Sequence, residues 1–240
     1  VKSRVCLVIL LFLAFGSVLV ASAWDDFWSY NSAHDAQGML SLISTLEDTG
    51  VENLNATDTA VLAYAYTEYA NWGLPSGDRQ KEGLYEKALE YADMAIAKDQ
   101  DNAFAHYVKG ATIGRLAQYK GIIQSLFMLD DFDRHLLRAI ELDPNNFLAY
   151  VAMGMRYRDT PWPFKNYKKA ESYLKKAIEI DPRYVNAYYE LAVLYEKMKR
   201  YDEARQLYEK ILSMKPHPLF VAQGMETKES ARKWLEEHNK

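Results

Sequence analysis

The stretch RYVNAYYELAVLYEKMKRYDEARQLYEKILSMKP, residues 183–216, decides the fold. Tyr188, Leu191, Ala192 and Tyr195 recur at three- and four-residue intervals, which places them on one face of a helix. Ala204, Tyr208 and Ile211 repeat the pattern after Tyr201-Asp202, and Pro216 stops this second helix. Small Ala192 and Ala204 allow the two helices to approach closely, while the aromatic residues fill the space beside them.

The same grammar recurs upstream. LLRAIELDP ends at Pro144, LKKAIEIDP at Pro182 and YEKILSMKP at Pro216, so the intervals between stops are 38 and 34 residues. A single helix pair cannot bury its apolar face alone, and a recurring one implies a stack of copies. The longer copy carries Tyr150, Met153, Gly154 and Tyr157, then Ala170, Leu174 and Ala177. Its four extra residues fall at Asp159-Thr160-Pro161-Trp162-Pro163, where proline stiffens the turn. Residues 103–142 hold an earlier pair, with Phe104, Tyr107, Gly110 and Ile113 before Phe132, Leu136, Ala139 and Ile140. Residues 58–98 hold another, interrupted by the loop Gly73-Leu74-Pro75-Ser76-Gly77-Asp78. With pairs at 147–181 and 184–215, a helix over 36–46 and a terminal helix over 228–238, residues 24–240 read as one all-α domain.

The N-terminus reads differently. Lys2 and Arg4 precede an uncharged stretch from Val5 to Ala23 that ends Ala21-Ser22-Ala23, the order of a secretory signal peptide cleaved after Ala23. Left uncleaved, its 19 residues approach the length that spans a bilayer, and membrane association is expected only then. Cys6 lies at the start of the apolar run, where a lipid-modified cysteine would lie at its end. Cleavage leaves 217 of the 240 residues, with 27 basic against 33 acidic side chains and no cysteine. That excludes disulfides, thiol catalysis and cysteine zinc sites, and argues against nucleic acid as a partner.

Catalytic patterns are sparse. His34, His106, His135, His217 and His238 lack the close spacing of a zincin helix, and no glycine-rich phosphate loop is present. Asp99-Gln100-Asp101-Asn102 reads as a helix stop followed by a cap rather than a calcium loop. Asp130-Asp131-Phe132-Asp133 reads as acid at a helix start. Asn55-Ala56-Thr57 fits a glycosylation sequon. An enzyme, a cofactor and a metal site are therefore not expected.

The spacing of Tyr188, Leu191, Ala192, Tyr195, Ala204, Tyr208 and Pro216 resembles the tetratricopeptide repeat, whose 34-residue length the last copy matches. The likeness is strong over 183–216, interrupted over 147–182 and weak over 58–142. The whole arrangement more faintly resembles the periplasmic T component associated with tripartite ATP-independent transporters, and more remotely the regulators of microtubule dynamics. The repeat resemblance implies a right-handed α-α superhelix with degenerate N-terminal repeats, whose first helices line an inner groove. That face would carry Phe104, Tyr107, Ala111, Gly114 and Arg115, then Leu148, Val151, Met155, Arg158 and Asp159, then Tyr189, Val193, Glu196 and Lys197. Trp162 is a candidate for closing the site, the alternative being packing across the helix ends. Tyr107, Val151 and Tyr189 occupy places where repeats that grip chaperone tails carry Lys and Asn. The alternative to an open groove is that residues 117–132 fold back and fill it.

The expectation is a non-catalytic, exported binding protein, periplasmic or extracellular. Its groove would take a peptide, a protein or a small amphipathic organic ligand, with an envelope transport complex as one setting. The competing reading is a scaffold that assembles an envelope complex through its convex face or ends. A hydrolase is the third reading, and it requires His106 or His135 beside a nucleophile in a cleft.

Overall fold

The computed structural model describes residues 22–238, so the leader ahead of Ser22 lies outside the described residues. Two short helices come first: α1 is Ala23–Ala33 and α2 is Ala36–Thr49. Four helical hairpins follow. They are α3 (Ala56–Glu68) with α4 (Gln80–Lys98), and α5 (Ala103–Leu116) with α7 (Leu129–Leu142) across the short α6 (Ile122–Phe127). Then come α8 (Phe147–Asp159) with α9 (Tyr167–Ile180), and α10 (Val185–Lys197) with α11 (Tyr201–Ser213). The chain closes with α12, Val221–Glu237, which starts seven residues before the expected 228. Helix α3 ends at Glu68 and passes into a π-helical turn at Tyr69–Gly73. No strand occurs among the described residues.

The joints between hairpins show why the stops recur with or without proline. Asp99, Asp143 and Asp181 each accept a hydrogen bond from the backbone N–H two residues on, which turns the chain out of the helix. Asn102 and Asn146 then cap the next helix by accepting from Ala105 N and Ala149 N, as Asn55 does from Asp58 N ahead of α3. Gln100 stands where Pro144 and Pro182 stand later, and the Asp–Asn pair suffices without the ring.

Hairpin packing turns on one register position. Ala63, Gly110, Gly154 and Ala192 are each the eighth residue of the first helix in their pair. A Cβ on Gly110 would lie 2.6 Å from Leu136 Cγ, and one on Gly154 2.5 Å from Leu174 Cγ. Leucine in the second helix thus fills the space that glycine vacates in the first, at a separation no larger residue permits. Leu136, Leu174, Ala139, Ala170 and Ala177 are completely buried along this seam.

The two ends of the described chain meet. Ser32 Oγ donates to the Pro218 carbonyl at 2.6 Å, the rings of Trp28 and Phe220 pack edge to face at 5.4 Å, and His34 Nδ1 lies 3.3 Å from Glu226 Oε1. Helix α12 packs on α10 and α11 and reaches α1, so the first helix and the last close one side of the concave face.

Candidate functional site

Closure leaves a cavity of about 860 Å³ inside the curve of the stack. Its floor comes from the first helices: Tyr64 and Glu68 on α3, Tyr107 and Arg115 on α5, and Val151 and Met155 on α8. Residues 117–132 neither fill it nor leave it open, because α6 and the start of α7 stand as a wall that contributes Ile122, Leu126 and Phe132. The opposite side is made by Asn31 and His34 at the end of α1, Trp72, and Phe220, Gln223 and Glu226 near α12. The volume falls in the range of small-molecule and peptide sites.

Electrostatics single out Arg115. Among the described residues its guanidinium forms no hydrogen bond and no ion pair. Burial opposes its charge, but the carboxylate of Glu68 together with Tyr85, Tyr64 and Tyr107 outweighs that cost and holds its pKa above the usual arginine value. The other charges around the cavity are engaged. Arg156 grips Asp133 through two bonds of 2.8 and 2.6 Å, and Lys120 bridges Glu82 and Glu86. Glu190 accepts from Arg158 at 2.5 Å, Asp159 faces Arg158 at 2.7 Å and Lys197 at 3.5 Å, and Glu68 accepts from Asn71 at 3.2 Å.

Beside Arg115 the hydroxyls of Tyr64 and Tyr107 share a hydrogen bond of 3.0 Å. Burial pushes both phenols well above their ordinary pKa, so they are neutral donors and offer no base. His106 and His135 are brought together outside this cavity. His106 Nε2 lies 3.0 Å from the Gln100 carbonyl, which can only accept, so His106 is the acceptor in the 2.9 Å Nδ1–Nδ1 contact with His135. His135 Nε2 is then a buried lone pair with no partner among the described residues.

Of the residues expected on the groove, Tyr107, Arg115, Leu148, Val151 and Met155 line the cavity, with Ala111, Gly114 and Asp159 beside them. The others stand elsewhere. Phe104 packs into an aromatic cluster with Trp24, Tyr64 and Tyr107, at 4.7 Å from the Trp24 ring. Arg158 is buried as a strap from α8 to α10, with burial opposing its charge and Asp159 and Glu190 more than restoring it. Tyr189 packs on Tyr208, Lys197 faces Asp159 at the surface, and Val193 does not line the cavity. Trp162 does not close the site: it is 84% exposed, and its neighbour Pro161 forms the lip instead. In the regular last hairpin the face expected to be open is thus partly covered, with Tyr189 and Val193 half-buried and Lys197 at the surface.

Several lining residues escaped the sequence reading. Glu68 is the thirteenth residue of α3 as Arg115, Asp159 and Lys197 are of α5, α8 and α10, so extending the repeat register upstream would have found it. His34 ends α1 and Glu226 is on α12, Trp72 lies in the turn after α3 and Phe220 in the connection before α12, and no helical periodicity marks them.

Stacked hairpins around a lined concavity define a tetratricopeptide-type repeat protein. A tetratricopeptide repeat profile matches residues 164–222. A thermophilic protein of this class from Thermus thermophilus superposes with a TM-score of 0.65 at 19% identity, covering 88% of this chain and 100% of that one, which shows the shared fold. The profile of Regulator of microtubule dynamics protein 1-3 matches residues 23–158, more than half of the chain, and the chain belongs to that family. It is similar to Regulator of microtubule dynamics protein 1 of Pongo abelii, 28% identical over 132 residues, which are 48% of this chain and 42% of that one. It is also similar to Regulator of microtubule dynamics protein 3 of Bos taurus, 29% identical over 93 residues, 39% of this chain and 19% of that one. These matches span less than half the length of those relatives.

Family membership corrects the expected location. The family and the relatives that share its name are regulators of microtubule dynamics, which points away from periplasmic export, so the periplasmic or extracellular assignment is overturned. The same finding replaces the resemblance to the transporter T component.

Proposed function

We propose that the protein is a non-catalytic binding module whose concave cavity takes a protein segment or small organic molecule that joins an apolar body to one acidic group. Arg115 carries this reading. A buried guanidinium that forms no hydrogen bond or ion pair among the described residues, with Glu68 as its nearby counter-charge and Tyr64, Tyr107, Val151 and Met155 around it, is suited to a carboxylate or a similar anion, because a charge-assisted bond gains strength where water is scarce. The apolar lining from α8 and α6 would receive the rest of the ligand. The name shared by the relatives supports a role for such binding in the regulation of microtubule dynamics, with a protein partner as the natural outlet.

A ligand gripped in this way should survive purification. Native mass spectrometry of the full chain from animal cells is expected to show a mass above that of the polypeptide, released on denaturation, while Arg115→Gln shows the bare chain. Equal occupancy in both proteins would remove Arg115 from the account.

A further inference from the structure

A second surface lies outside the cavity, on α9 and the turn before it. From Pro161 to Lys176 the sequence holds five lysines and one acid, Glu171, in a chain whose formal net charge is -4. Ala170, Leu174 and Ala177 form the buried face of α9, so Lys168, Lys169 and Lys175 project from the exposed one. Lys168 forms no hydrogen bond or ion pair among the described residues. Lys165 and Lys169 rest over the rings of Tyr167 and Tyr157, at 5.2 and 4.9 Å, which orders them without neutralising them. Glu171 is shared between Lys175 at 2.7 Å and Arg200 at 3.1 Å and Arg200 also pairs with Glu203, so charge balances there and the positive surplus lies with Lys165, Lys168 and Lys169. At the N-terminal end of this stripe stand Trp162, 84% exposed, and Phe164, 43% exposed.

We propose that this outward face docks an acidic segment of a partner protein, its carboxylates meeting Lys165, Lys168, Lys169 and Lys175 and an apolar residue seating on Trp162. Lys168 and Lys175 are separated by about 10 Å along the helix, a span that two carboxylates recurring about every 7 Å on one side of an extended segment fit within. A lipid surface fits less well: Ser172 and Glu179 share the exposed face with the lysines, and the apolar groups sit at one end only. Nucleic acid fits less well too, since residues 161–176 contain no arginine fork to read phosphates or bases. None of the four lysines lines the cavity, so this surface stands or falls independently of the ligand reading above.

The test is fluorescence anisotropy of a labelled peptide of alternating glutamate and glycine with one phenylalanine, titrated with the full chain at low and physiological salt. Salt-sensitive binding is expected, weakened about tenfold by Lys168→Glu/Lys169→Glu/Lys175→Glu and about threefold by Trp162→Ala. A variant with equal charge change elsewhere, Arg79→Glu/Lys215→Glu/Lys233→Glu, should bind within about twofold of the parent. Circular dichroism and the glutamine triple variant at the same lysines separate lost binding from lost fold. Parent-like binding by the α9 variant, an equal loss in the control, absence of peptide binding by the parent, or binding to phosphatidylserine vesicles in place of the peptide would overturn the proposal.

Discussion

The last hairpin, α10 with α11, follows the repeat most regularly, and the pair α5 with α7 departs from it most, by inserting α6. In the regular copy the inward side chains are spent on packing: Tyr189 on Tyr208, and Tyr208 against Trp234 of α12 at 4.6 Å. In the irregular copy the register is the same, but α6 stands beside the groove and Arg115 faces the cavity with no hydrogen bond or ion pair among the described residues. A regular repeat is a packing solution, and its perfection leaves little surface for anything else. Departure from the repeat is where a cavity becomes available.

That contrast can be broken most forcefully in the cores. Leu174→Ala, opposite Gly154, and Leu136→Ala, opposite Gly110, should each cost about 2–5 kcal/mol in urea unfolding, since both side chains are fully buried. Only the second loosens the α5–α7 wall, so only it should also weaken ligand binding under conditions where both variants remain folded. Equal binding losses would show that the cavity depends on the stack as a whole.

The histidines sharpen the comparison through pH. Burial drives the His135 pKa down to about 4, helped by Lys109, His106 and Arg134 and opposed by Asp131. The folded pKa lies below the unfolded one, so stability is lost as pH falls from about 6.5 towards 4, with a ceiling of roughly 3 kcal/mol. His217 in the regular half is also lowered by burial, but Asp181 at 3.2 Å counters the shift. Chemical unfolding at a series of pH values should therefore lose much of its acid sensitivity in His135→Leu and less of it in His217→Leu. A parent-like profile in His135→Leu would contradict the tautomer chain drawn from the Gln100 carbonyl.

How much of this was legible in the sequence follows from what periodicity records. Tyr188, Leu191, Ala192 and Tyr195 announce their helix because each must face its neighbour at helical spacing, and Gly110 and Gly154 mark the close approach for the same reason. Periodicity does not say which inward residues find partners. Arg158 and Lys197 were both expected on the groove, yet tertiary neighbours from α10 and α8 absorb them. The closure of α12 onto α1 depends on Ser32, Phe220 and Glu226, single contacts nearly 190 residues apart that no local pattern encodes. An apolar leader with two positive charges suggested export by composition alone, and only kinship with the microtubule regulators corrected it.

The most direct test of the central claim compares one register position in the two halves. Arg115 and Lys197 are both the thirteenth residue of their helices, one facing the cavity with no hydrogen bond or ion pair among the described residues and the other 3.5 Å from Asp159. Titration with anilinonaphthalenesulfonate, an apolar ring system bearing one anion, should give about tenfold weaker binding for Arg115→Gln, equivalent to roughly 1.4 kcal/mol, and no change for Lys197→Gln. Equal affinities across the parent and both variants, or a loss confined to Lys197→Gln, would contradict the account.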